Sequence, residues 1–301
     1  MRDSPVPIGR RSPATATTHI LEREMIMLKY HEGDLNVAGV RIHYYRTGGE
    51  KPPLILLHGA TDNGLCWTRL AERLVLDYDI IMPDAQGHGL SDRLNADFSH
   101  QNHTDQVAAL AGGLGIANPV IIGHSMGAGT AVNVAIRYPS LLRAIILEDP
   151  PWGAPPVAAQ QDGREAYRPV QDFRSFLTGL RNLTLDEIVE ASRKNDPTWA
   201  EDERLPWALA KQQFDASLFS RPVINQRSYA ELVPMIDCPT LLISAENGIV
   251  TAEIAGDAAR LWKSGKPFRW VEIKGAGHNI RRERFEDFFG AVTGFLSEID
   301  G

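Results

Sequence analysis

A chain of 301 residues that is 43% hydrophobic and 23% charged carries enough apolar material for one large core or two small ones, and lies outside the disordered and fibrous classes. Its formal net charge of -7 disfavours a nucleic-acid partner, because phosphate binding draws on a surplus of Lys and Arg. Its two cysteines, Cys66 and Cys238, form neither a metal-ligand spacing nor a disulfide framework, and there is no apolar run long enough for a membrane span or a secretory signal, so a cytoplasmic protein without membrane attachment is expected.

Residues 1–27 are rich in Pro, Ser, Thr and Arg with little to bury, which reads as a mobile N-terminal arm. The arm could also clasp a second copy of the chain, so a homo-oligomer stays open. From Val37 to Tyr45 a β-hairpin is expected, broken at Gly39. Short apolar runs then follow at Leu54–Leu57, Ile80–Met82, Val120–Ile122, Ala144–Leu147, Thr240–Ile243 and Phe268–Ile273, each too short for a helix and flanked by turn residues, which reads as buried strands. Between them Trp67–Leu76, His103–Leu114, Gly129–Arg137 and Glu253–Trp262 place apolar residues at helical intervals. Such alternation predicts an α/β fold with a mostly parallel sheet covered on both faces. It fails between about Pro150 and Ile236, where helical patterns (Asp172–Leu180, Leu185–Ser192, Trp207–Phe214) replace strands. The expected organisation is a core of residues 28–150 and 237–301 with a helical cap over 151–236, inserted at the carboxyl edge of the sheet where a site belongs.

The most informative segment is Gly123-His124-Ser125-Met126-Gly127, which follows an apolar strand and opens a small-residue helix. A serine at such a turn needs unusual backbone angles, and the crowding is relieved only if the positions two before and two after lack large side chains. The helix N-terminus then offers free N–H groups to a developing anion. Ser125 is therefore the candidate nucleophile. His58-Gly59-Ala60 ends the strand Leu54–Leu57, and the N–H groups of Ala60 and Met126 are the candidate oxyanion hole, with His58 shaping the loop. His278, in Gly275-Ala276-Gly277-His278-Asn279, sits on a loop near the C-terminus and is the candidate general base, with a rate rising as it loses its proton.

On these motifs, together with Pro83-Asp84-Ala85-Gln86-Gly87-His88-Gly89-Leu90-Ser91, the chain resembles the α/β-hydrolase family from about Leu35 to Leu296. The resemblance implies an eight-stranded, mostly parallel sheet, a lid between strands six and seven, a Ser-acid-His triad and no cofactor. Phosphate-loop, zinc and nicotinamide motifs are missing from the sequence, and no metal is expected.

The chain departs from the commonest family pattern at the acid. Strand seven ends Leu241-Leu242-Ile243-Ser244-Ala245-Glu246-Asn247-Gly248, with Gly248 where the family's Asp is expected. Some relatives, including haloalkane dehalogenases and lactonases similar to zearalenone hydrolase, take their acid from the end of strand six, and Asp149 matches that position. Glu246 and Glu148 are the alternatives, and a water-supported dyad stays open. Period-two alternation sets Glu148 and Asp149 on opposite faces, and Pro150 is expected to hold Asp149 extended.

The cap's Trp199, Trp207, Phe214 and Phe219, with Trp152 beside the acid, supply aromatic surface; Trp152, Trp207 and Phe214 are the candidate substrate contacts, and lid packing is the competing role. These residues together predict hydrolysis of an ester or lactone through an acyl-enzyme, with a bulky aromatic lactone such as zearalenone as one substrate class suggested by likeness. Carbon–carbon bond hydrolysis and cofactor-free perhydrolysis would use the same triad. A noncatalytic small-molecule receptor on this fold is the reading from a different class.

Overall fold

The computed structural model describes residues 30–152, 175, 177–180, 182–220 and 227–300. The arm expected over residues 1–27 lies outside them, as does part of the cap's first expected helix, Asp172–Leu180.

An antiparallel hairpin of β1 (His31–Val37) and β2 (Val40–Arg46) opens the sheet. It pivots on Ala38 and Gly39, both at positive φ (49° and 83°), so the hairpin predicted at Gly39 is present but its first strand begins six residues earlier than expected. Then follow β3 (Pro53–Leu57), α1 (Thr68–Leu74), β4 (Asp79–Pro83), α2 (His100–Gly113), β5 (Val120–His124), α3 (Met126–Arg137) and β6 (Ala144–Glu148). Between β6 and β7, in the segment expected to form the cap, come α4 (Leu185–Asn195), α5 (Arg204–Gln213) and the short α6 (Tyr229–Leu232). The chain closes with β7 (Thr240–Asn247), α7 (Ala252–Leu261), β8 (Phe268–Gly277), the one-turn α8 (Ile280–Glu283) and α9 (Phe285–Asp300).

The eight strands form one sheet in the order β1-β2-β4-β3-β5-β6-β7-β8, parallel from β4 onward. The apolar runs read as buried strands form its centre: Val120, Ile121, Ile122, Ala144, Ile145 and Ile146 have no exposed surface. Each such Val or Ile side chain contributes about 1.5–3 kcal/mol by leaving water. One face of the sheet packs on α2, α3 and α7 through Leu110, Val132 and Ala255, and the other on α1 and α9 through Leu70, Phe288 and Val292. β8 differs from the expectation of a buried strand. It is an edge, and Trp270 and Val271 are each 37% exposed, because nothing pairs beyond it in the sheet order.

Parallel strands bring their carboxyl ends to one edge. In register His124 sits beside Glu148, so the residues that follow, Ser125 and Asp149, leave adjacent strands at the same level. The cap helices α4 and α5 have their own core of Ile188, Val189, Trp199, Trp207 and Ala208. No helix among the described residues is long and apolar enough to cross a membrane.

Candidate active site

Ser125 stands between β5 and α3 with φ 49° and ψ -112°, a conformation that costs an L-residue on the order of 1–3 kcal/mol and persists only where the surroundings enforce it. The enforcement is visible. The Ser125 N–H donates to the Glu148 carbonyl of the neighbouring strand at 2.9 Å, and the Ser125 carbonyl accepts from Gly129 N–H at 3.0 Å to start α3. A methyl group at Gly123 would lie 2.4 Å from the Gly127 carbonyl oxygen, and one at Gly127 would lie 2.2 Å from that of Leu57. Both glycines are therefore required by contact. Met126 is the first residue of α3, so its N–H has no helix carbonyl one turn back to bond.

Ala60 follows β3 in a turn whose next residue, Thr61, has φ 69°. His58 organises that turn. Its Nδ1–H donates to the Gly59 carbonyl at 2.8 Å while its Nε2 accepts from the Ala85 N–H at 3.0 Å, which fixes one neutral tautomer. Burial pushes the His58 imidazole down to about 4, against the partial compensation of its bond to Gly59. The loop Pro83–Ser91 to which His58 ties the turn is held by Asp84. That carboxylate accepts from Gly64 N–H and Leu90 N–H, each at 2.7 Å, and a methyl at Gly89 would lie 2.0 Å from its Oδ2.

His278 lies just past β8, and its Nδ1 is 2.6 Å from Asp149 Oδ2. The carboxylate is fully buried while the imidazole side chain keeps 28% of its surface open. Asp149 also accepts from the N–H groups of Ile249 at 2.8 Å and Val250 at 2.9 Å. A carboxylate that can only accept makes Nδ1 the donor, and leaves Nε2 of a neutral His278 with the lone pair. The structure thus joins His278 to Asp149 and to neither alternative. Glu148 is buried on the other face and accepts from Arg281 through both the backbone N–H (2.9 Å) and Nη1 (3.1 Å), while Glu246 is exposed and accepts from Gly275 N–H at 2.8 Å.

Asp149 is not extended as Pro150 led us to expect. Its φ is 42°, because its N–H is drawn to the Ile243 carbonyl at 2.9 Å while its carboxylate is drawn to residues 249 and 250. The three aromatic candidates for substrate contact are all buried against other side chains. Trp152 is buried in the core with its ring 6.4 Å from that of Tyr229, Trp207 is in the cap core, and Phe214 is fully buried with Phe98, Leu177 and Leu218. An apolar cavity behind the first turn of α3 is lined by Leu57, His58, His103, Val107, Leu110 and Met126.

His124 is a site residue that the sequence reading did not single out. Its Nε2–H donates to the His278 carbonyl at 3.0 Å, and the two rings lie 4.7 Å apart, so the residue before Ser125 holds the loop that carries His278. Burial, then the nearby Arg281 and His278, push its pKa well down, which keeps it neutral. Gly59 makes room for it, as a methyl there would lie 2.6 Å from His124 Nδ1. Among the described residues no three His, Cys, Asp or Glu side chains gather as metal ligands.

A strained serine at a strand-to-helix turn, with a carboxylate-bound histidine at the same sheet edge, defines a class that comparison also recovers. Residues 52–281 match the alpha/beta hydrolase fold family, to which this chain belongs. N-formylmaleamate deformylase of Pseudomonas putida is 27% identical over 268 residues, covering 88% of this chain and 96% of its own. The 2-(acetamidomethylene)succinate hydrolase of Mesorhizobium japonicum is 26% identical over 260 residues, covering 83% of this chain and 90% of its own. Among solved structures, the N-formylmaleamic acid deformylase of Pseudomonas putida S16 shares the fold with a TM-score of 0.71 at 24% identity, over 87% of this chain and 100% of that one. The chain is a hydrolase.

Proposed function

We propose that this hydrolase cleaves a carboxylic ester or lactone through an acyl-enzyme on Ser125. His278 Nε2 takes the Ser125 proton during attack and returns it to the leaving oxygen, Asp149 orients the imidazole and stabilises its cationic form, and the N–H groups of Ala60 and Met126 receive the oxyanion. The observation that carries the reading is the 2.6 Å contact between His278 Nδ1 and the buried Asp149 carboxylate, beside a serine held at φ 49°. An ester or lactone is the acyl donor this machinery turns over with least further help, because its carbonyl is more electrophilic than an amide's.

A second reading is favoured by two of the relatives that run along most of the chain, the deformylase and the succinate hydrolase. Their names contain formyl and acetamido groups, so hydrolysis of an N-acyl bond by the same three residues is the alternative. One experiment tests both. The purified protein is offered short- and medium-chain nitrophenyl esters, lactones including a bulky aromatic macrolactone, and N-formyl and N-acetyl amides, each alongside Ser125→Ala. Turnover abolished by that substitution, with esters or lactones preferred, supports the first reading, and amide preference supports the second. Hydrolysis indifferent to Ser125→Ala, or none on any of these substrates, overturns both and favours a binding role for the fold.

A further inference from the structure

Beneath the proposed triad, six charged side chains form one connected network in which none exposes more than 4% of its surface: the cations Lys211, Arg281 and Arg282 and the carboxylates Asp62, Glu148 and Glu203. Asp62 is the hub. Its Oδ1 accepts from Lys211 Nζ at 3.0 Å, and its Oδ2 from Arg281 Nη2 at 3.1 Å and Arg282 Nη2 at 3.0 Å. Arg281 continues to Glu148 and Arg282 to Glu203. Burying so many charges is a poor route to stability, since desolvation offsets most of the attraction, so the network calls for another explanation.

Some of its members lie within three residues of Ala60, Asp149 and His278. Asp62 lies two residues past Ala60, Glu148 directly precedes Asp149, and Arg281 lies three residues past His278. Lys211 comes from the cap helix α5 and has two more acceptors, the Thr61 carbonyl at 2.9 Å and the Thr61 hydroxyl at 3.0 Å. Thr61 is β-branched and sits at φ 69°, a conformation that such a side chain resists and that its neighbours must therefore impose. The Lys211 ammonium, 4.9 Å from the Trp207 ring centre, is clamped between the cap core and this turn.

We propose that Lys211 is a positioning residue through which the seated cap locks the Ala60–Asp62 turn, so that the oxyanion hole is fully formed only when α5 is docked. This rests on the reading of Ala60 as an oxyanion donor. Lys211 touches no reacting atom; it acts by holding the backbone on either side of Thr61, and a donor displaced by a fraction of an ångström loses much of its hold on the transition state.

Two variants test it, Lys211→Met, which keeps the apolar stem over Trp207, and Thr61→Ala, which removes one of the two Thr61 contacts and leaves the Lys211–Asp62 pair. For each, kcat and KM are measured on a short-chain nitrophenyl ester, and amide hydrogen exchange is followed over residues 59–62. Lys211→Met is expected to lower kcat about 10- to 100-fold with KM within about threefold, and to speed exchange across the turn; Thr61→Ala shows the same pattern to a smaller degree. Wild-type kcat with unchanged exchange in a folded variant overturns the proposal, even where melting temperature drops, since that is the signature of a merely structural lysine. Should Lys211→Met fail to fold, Thr61→Ala carries both readouts. Absence of any ester turnover by the parent counts against the functional reading instead, and exchange at residues 59–62 then decides whether Lys211 holds the turn.

Discussion

The carboxylate of Asp149 occupies the space that a side chain at Gly248 would need: a methyl group there would lie 2.7 Å from both Asp149 oxygens. Gly248 is the position at the end of β7 where the sequence pattern led us to look for an acid. The two ends of neighbouring strands are thus complementary. An acid on β6 and a bare backbone on β7 fill one volume, and the N–H groups just past Gly248, those of Ile249 and Val250, are what bind the carboxylate.

Gly248→Ala is therefore expected to push the carboxylate off the His278 Nδ1 and lower kcat about 100-fold while the fold survives, since Gly248 lies in a half-buried bend just past β7 rather than in the core. Asp149→Asn should cost roughly 10³- to 10⁴-fold by supporting the wrong tautomer of His278. Glu246→Gln should leave kcat within about twofold, since that carboxylate serves only the Gly275 N–H. Steady-state kinetics on the best nitrophenyl ester check all three. A large loss in Glu246→Gln alone would reassign the acid to β7.

Much of this site is legible in the sequence because its requirements are local. Gly123 and Gly127 must lack side chains for reasons contained within five residues and one neighbouring strand, and the position of His278 follows from chain order. Asp149 is legible as a carboxylate at a strand end, but its φ of 42° is not, because the groups that impose it lie about 100 residues away. The same holds for Lys211 and Asp62, which meet across 149 residues, and for the burial of Trp152 and Phe214, which turns on what the cap packs against. In the fold, β5, β6 and β8 all announce themselves as strands, but that β8 is an edge is not legible in Phe268–Ile273, because it depends on which strands pair beside it. Helix α9 is not among the helices expected from the sequence, although Phe285, Phe288, Val292, Phe295 and Leu296 keep helical spacing.

His124 offers a prediction that separates support from chemistry. His124→Leu removes the donor to the His278 carbonyl and leaves that oxygen without a partner in a half-buried position, at a cost of about 1–3 kcal/mol. Thermal unfolding should move down accordingly, and kcat should fall about tenfold as the His278 loop loosens. His124→Gln, whose side-chain amide can still donate, should recover most of both. If the Leu variant keeps wild-type kcat, the His124 contact does not position His278.

Acid stability follows from the buried imidazoles. Burial drives His58 down to about 4 and His103 to about 3, and holds His88 and His124 well below their ordinary value. In the unfolded chain each titrates near about 6.5. Above that pH both states are neutral and the contribution of these groups to stability is fully present; below it the unfolded chain takes up protons that the folded chain refuses, at about 1.4 kcal/mol per histidine per pH unit. Asp84 works the other way. Burial, against its bonds to the N–H groups of Gly64 and Leu90, lifts it to about 6, so the folded state binds one proton between about pH 6 and 4 that the unfolded state releases. Burial raises Glu148 and Glu203 in the same sense as Asp84, so these carboxylates moderate the histidine effect below about pH 6, and the histidines act alone between about pH 6.5 and 6. Urea unfolding should therefore give a flat stability from pH 8 to 7 and a stability that falls once the pH drops below about 6.5. His103→Gln, whose amide can still donate to the Gln86 carbonyl that His103 Nε2 approaches at 3.1 Å, should reduce that slope by one proton. A stability that stays level down to pH 5 would mean that these rings are open to protonation in the folded state, contrary to their burial.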